Sequence, residues 1–193
     1  GDLRTLYEIE NQKKCFDFMV NKIVSKEPIT TELIVQIHKK LMQGTYDEVR
    51  WSKGERPGTF KVNDYCVADG QGALPEEVPE ELCDELQDIP DCGDNILKAA
   101  AYVHCKFENI HPFADGNGRV GRTLMNYFLM THDYPPLVVY NETKDRYYKA
   151  LGHYDKTGDV TLFTEYMKEA LEQTWEEKRA PKVCLEDMLE QEL

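Results

Sequence analysis

One run, His111-Pro-Phe-Ala-Asp-Gly-Asn-Gly-Arg-Val-Gly-Arg122, constrains this chain more than any other feature. The residues just before it, 98–110, and those closing it and following, 120–130, both place apolar side chains at intervals of three and four, the period of a helix with one buried face. The run must therefore be a tight connection between two helices. A glycine-bearing bend that opens a helix is a preformed anion site, because the first N–H groups have no intrahelical acceptor and the helix dipole favours negative charge there. Gly116 and Gly118 let a phosphate come close to the backbone.

The polar residues of the run fit a polyphosphate ligand. Arg119 and Arg122 are three apart, hence neighbours on one helix face, where two guanidinium forks can hold successive phosphates. Asp115 is placed to hold the Mg²⁺ that such a ligand brings. His111 stands outside this cradle, and an imidazole suits the removal of a proton from an attacking hydroxyl. The same letters contain GxGxxG at 116–121, but a dinucleotide fold needs a β-strand before it, and 98–107 is alanine-rich and helically periodic. A Walker phosphate loop is excluded because no GK[ST] follows a glycine-rich run.

The run resembles the signature of the Fic family, HPFx(D/E)GNGRxxR, with every defined position filled, and the likeness extends over roughly residues 8–174. What the resemblance implies is an all-α, Fic-like helical bundle that transfers AMP from ATP to a Ser, Thr or Tyr hydroxyl of a target protein. His111 is then the catalytic base and Asp115 the Mg²⁺ ligand. Gly116, Asn117 and Gly118 hold the α- and β-phosphates, and Arg119 and Arg122 the outer ones. The resemblance also implies a short β-hairpin flap beside the site, at about 59–67, where the target docks by strand addition, with Phe60-Lys61 at its start. Adjacent tyrosines in 144–151 border the nucleotide in that family, which makes Tyr147 and Tyr148 the expected wall of the base and ribose. Asp155 stands where related proteins often carry asparagine. Within the same fold, transfer of another nucleotide or of phosphocholine, removal of AMP, and nucleotide-dependent protein binding without turnover stay open.

Many members carry an inhibitory helix, (S/T)xxxE(G/N). Leu6-Tyr-Glu-Ile-Glu-Asn11 matches only its end, with Leu6 where a hydroxyl is expected, and the segment reads as the first core helix. Inhibition is thus expected from an upstream helix, from a separate partner, or not at all.

The rest of the chain reads as one domain over 1–193, with a charged helical tail at 176–193. Helices are expected over 2–24, from a cap at Thr31, over 79–88, 95–110, 124–130 and 144–151, and over 161–175, with 52–58 a polar loop. His38 reads as a packed or capping histidine and Phe113 as the core anchor of the motif loop. His104 and Glu108, four apart, read as structural because no third ligand stands nearby. A net charge of −13 argues against a nucleic-acid partner, since phosphate binding needs a basic stripe. Six cysteines without ligand spacing suggest free thiols in a reducing cytoplasm, and no apolar run approaches membrane-spanning length.

Overall fold

The computed structural model describes residues 3–65 and 72–179. Among the described residues eight α-helices follow one another: α1 (Leu3–Val24), α2 (Thr31–Met42), α3 (Glu48–Ser52), α4 (Val78–Asp88), α5 (Ile96–Ile110), α6 (Asn117–Thr131), α7 (Lys144–Thr157) and α8 (Thr161–Arg179). Helix starts follow local chemistry. Thr30, Asp47 and Asn95 accept from the backbone N–H groups of Leu33, Arg50 and Lys98 at 2.8–3.1 Å, satisfying donors that have no partner within the helix. The α2 cap is thus Thr30, one residue before the expected Thr31. The short α3 has no apolar stripe, having no buried residue, so periodicity could not have shown it.

α5 is the axis of the bundle and packs against α4, α6, α7 and α8, while α1 and α2 close over α6. Ala99, Ala100 and Ala101 are buried, and so small a face on α5 lets its neighbours approach closely. α6 is tied at both ends by asparagines acting as backbone mimics. Asn117 donates to Phe113 O at 2.8 Å and accepts from Phe113 N at 2.9 Å, and Asn126 does the same for Leu137 at 3.1 and 2.9 Å. Phe113, wholly buried, stacks on His38 with centroids 3.7 Å apart, and so fixes the motif loop against α2.

The expected hairpin at 59–67 is not shown. No strand forms among the described residues, and 66–67 lie outside them. The cause is visible in the donors: Lys61 N–H goes to Pro112 O at 2.9 Å, and the N–H groups of Val62 and Asn63 go to the buried Glu55 carboxylate at 3.1–3.2 Å. Backbone donors spent on a carboxylate are lost to a ladder. The tail beyond Arg179 also lies outside the described residues.

Candidate functional site

The motif loop leaves α5 at His111, which caps that helix in the left-handed region at φ 52°, unusual for a residue with a Cβ and a common mark of a site under local constraint. Gly116 repeats the left-handed turn at φ 85° and opens α6 without a side-chain cap. A Cβ there would strike Met42 Sδ, so the position is closed to any other residue on two counts. The first amides of α6 consequently face a cavity of about 430 Å³ lined by Glu8, His111, Ala114, Asp115, Gly116, Asn117, Gly118, Arg119, Arg122 and Tyr148. The two guanidiniums and the helix terminus give this cavity a positive side inside an acidic chain.

His111, half-buried, has its imidazole pKa lowered to about 4, mainly by burial and further by the Lys61 ammonium, against a smaller opposite pull from Asp115. At neutral pH it is therefore in the form that accepts a proton. The Asp115 carboxylate accepts from Gly116 N at 2.8 Å through Oδ1, and its Oδ2 lies 3.2 Å from Arg4 Nη2 and 3.6 Å from Arg50 Nη2. His38 is structural, as expected. Its Nδ1 accepts from Gly58 N at 2.9 Å, which leaves the proton on Nε2 to donate to Asp115 O at 3.0 Å. Burial holds its pKa down at about 4.

All of the expected site residues but Tyr147 line this one cavity. Tyr147 is 1% exposed and does not reach the cavity, because it lies on the inward face of α7 with its hydroxyl 2.7 Å from His104 Nε2, whereas Tyr148, 53% exposed, does line it. Asn117 lines the cavity too, 3% exposed, with its side-chain amide bonded to both backbone groups of Phe113. Sequence reasoning missed Arg4 and Glu8. Glu8 Oε1 pairs with Arg119 Nη1 at 3.0 Å and with Arg4 Nε at 2.9 Å, which brings α1 across the mouth of the cavity. Their spacing of four was visible, but nothing local pointed to residues 111 or more positions away. Glu10 turns outward to Lys14, and Asn11 is buried against the carbonyls of Leu41 and Gln43, as a core helix requires.

A neutral imidazole, a cluster of backbone donors, two guanidiniums and a carboxylate around one cavity can bind a metal-borne polyphosphate and activate a hydroxyl beside it. The sequence profile of the Fic/DOC family matches residues 28–129. Curated relatives include protein adenylyltransferase fic-1 of Caenorhabditis briggsae, 29% identical over 170 residues that cover 86% of this chain and 32% of that protein. Protein adenylyltransferase Fic of Drosophila persimilis is 28% identical over 167 residues, with the same coverage of each. Among solved structures, a Fic domain containing signaling protein from Bacteroides thetaiotaomicron superposes with a TM-score of 0.74 at 24% identity, covering 89% of this chain and 70% of that one. Fic-1 (aa134–508) from C. elegans superposes with a TM-score of 0.75 at 26% identity, covering 90% and 51%. The chain spans about a third of the length of the curated relatives it matches.

Proposed function

This chain belongs to the Fic/DOC family, and from that premise we propose that it is a protein adenylyltransferase, binding Mg²⁺·ATP in the cavity at the start of α6 and transferring AMP to a Ser, Thr or Tyr hydroxyl. The observation that carries the reading is the placing of a neutral His111 on the wall of the same cavity that holds the α6 amides, Arg119 and Arg122. His111 takes the hydroxyl proton, the freed oxygen bonds to the α-phosphorus, and the bond from that phosphorus to the bridging oxygen breaks, releasing pyrophosphate. The chain's contribution is positioning plus charge stabilisation, as in phosphoryl transfers generally. The amides of Gly116 to Gly118 hold the inner phosphates, the two arginines the outer ones, and Tyr148 borders the base and ribose.

Mg²⁺ fits Asp115. Its hard carboxylate oxygen faces the cavity, and one carboxylate is enough where phosphate oxygens complete the shell. Bound there, the ion would neutralise charge on the departing pyrophosphate. The target protein docks along 59–65, where Lys61 is bonded to the motif loop at Pro112 and Val62 is exposed. Arg4 and Glu8 hold the site in a restrained state. Glu8 occupies Arg119, and Arg4 the carboxylate that the metal needs, so nucleotide must displace a pair of ion contacts before it is bound productively.

The test is transfer of label from α-labelled ATP to protein in a cell lysate. Wild type is expected to leave label on a partner, and His111→Ala to lose on the order of 10²–10⁴ of the rate. Equal labelling by both rejects the reading.

A further inference from the structure

Behind the cavity wall lies a polar cluster that the transfer chemistry does not use: the buried His104 and the partly buried Glu108, one turn apart on α5, and the buried Tyr147 on α7. His104 and Glu108 meet α6 at Gly121, Tyr147 meets His104, and the Arg122 charge acts on all three. A Cβ on Gly121 would stand 2.8 Å from Glu108 Oε1, 3.1 Å from Phe107 Cδ1 and 3.2 Å from His104 Cε1, so a larger residue there would have to push these side chains aside. Arg122, the next residue, folds back under the first turn of α6, with Nη1 3.1 Å from where a Gly118 Cβ would be. Its charge pulls the Tyr147 hydroxyl's pKa down, against the upward push of burial. That hydroxyl is 2.7 Å from His104 Nε2, whose pKa is lowered to about 3 by burial, and His104 Nδ1 faces the Gly121 backbone without closing a hydrogen bond. Glu108 Oε1 is shut away from solvent with no hydrogen-bond partner of its own. Burial raises the Glu108 carboxyl to about 7, against the pull of the nearby Arg122 charge and with a push from Asp155.

A carboxylate buried without a hydrogen bond to that oxygen is expensive unless a charge repays it. The neighbouring charge is Arg122. The other motif arginine, Arg119, is held from the solvent side by Glu8 and is released when that contact opens. Arg122 is held from the core side, by groups that cannot withdraw.

We infer that Glu108 and Tyr147 are positioning residues for Arg122, presenting its guanidinium to the outer phosphates of the nucleotide, and that Gly121 is the residue that admits them. The inference rests on the nucleotide-binding reading above. It separates the two arginines by role: Arg119 is the switchable one and Arg122 the fixed one. It also accounts for Tyr147, which is conscripted to hold the arginine and not to face the base.

The experiment compares Mg²⁺·ATP with AMP as ligands at pH 8, above the titration of Glu108, for wild type, Glu108→Gln, Tyr147→Phe, Arg122→Ala and the Glu108→Gln/Arg122→Ala double variant. Each is made with Glu8 intact and as Glu8→Ala, so that a restrained site is not mistaken for an absent one, and thermal unfolding reports folding. Both conservative variants are expected to fold and to lose roughly tenfold in ATP affinity while AMP binding stays within about twofold, and Glu108→Gln is expected to add nothing once Arg122 is gone. Equal loss for ATP and AMP, or additive losses in the double variant, overturns the positioning role while leaving nucleotide binding in place. Failure of the wild type and of Glu8→Ala to bind ATP sinks the nucleotide reading itself.

Discussion

The two ends of α6 are built with the same economy and do different things. At the C-terminal end, Leu129 O receives N–H groups from His132 and Tyr134 at 3.1 and 2.9 Å, Met130 O receives Asp133 N at 3.2 Å, and the His132 ring lies 2.8 Å from Phe128 O. The carbonyls there are spent inside the fold. The cavity beside that end is larger, about 560 Å³, and lined mostly by apolar and proline residues such as Ile29, Pro90, Ile96 and Phe128. At the N-terminal end the helix opens on a glycine without a side-chain cap, and charged groups from α1, α3 and the motif loop converge on a smaller space. Size does not mark the chemistry. Unspent backbone donors with convergent charges do.

The sharpest way to break this comparison is to cut the asparagine tie at one end and then at the other. Asn117→Ala leaves two buried backbone groups of Phe113 without partners, at about 1–3 kcal/mol each. For a chain of this size that lowers the unfolding midpoint by roughly 5–15 °C, and label transfer should vanish with it. Asn126→Ala, the same cut at Leu137, should lower the midpoint comparably while AMP transfer at a permissive temperature persists. Loss of transfer in both would show that the N-terminal end has no special standing. A smaller effect is expected from Glu8→Ala, which frees Arg119 and so should tighten ATP binding by about tenfold, or roughly 1.4 kcal/mol. Unchanged or weakened binding by titration calorimetry would mean that α1 supports the site and does not restrain it.

How much of this was legible beforehand follows from the range over which each signal acts. The α5–loop–α6 unit was readable because its periodicity and motif are local, and His111, Asp115, Gly116, Gly118, Arg119, Arg122 and Tyr148 all line one cavity as expected. Tyr147 and Tyr148 were alike as letters. Which of two adjacent side chains faces the cavity depends on the helical phase of α7 against α5 and α8, and that is fixed by packing. Asn117 lines the same cavity, but its side chain's two bonds to Phe113 could not be read from its type. That 59–65 forms no strand has the same origin: it carries strand-forming residues, but Glu55 and Pro112 take its donors. Glu8 and Arg4 could not be found at all from a spacing of four, since their partners are brought to them by the fold.

Acid gives the gentlest test of the same asymmetry, because buried titratable groups crowd the N-terminal end of α6. His38, His104 and His111 have their pKa values lowered to about 4, 3 and 4, each chiefly by burial. Between these values and the ordinary histidine value the unfolded chain binds protons that the folded one refuses. Their stabilisation is complete above about 6.5 and drains away as pH falls. Glu108, raised to about 7, and Glu85, raised well above the carboxylate value, have the opposite sign. Folded, they keep protons that the unfolded chain has lost, so their contribution is full at low pH and drains as pH rises through the folded values. Near pH 5.5 the three histidines outweigh Glu108, with Glu85 pulling in the same direction as Glu108, so acidification costs stability. Glu108→Gln removes an opposing carboxyl and should steepen that slope by close to one proton, about 1.4 kcal/mol per pH unit. Unfolding midpoints recorded every half unit from pH 7 to pH 5 would check it. Parallel curves for wild type and variant would show that Glu108 titrates as an ordinary carboxylate and that burial does not hold its proton on.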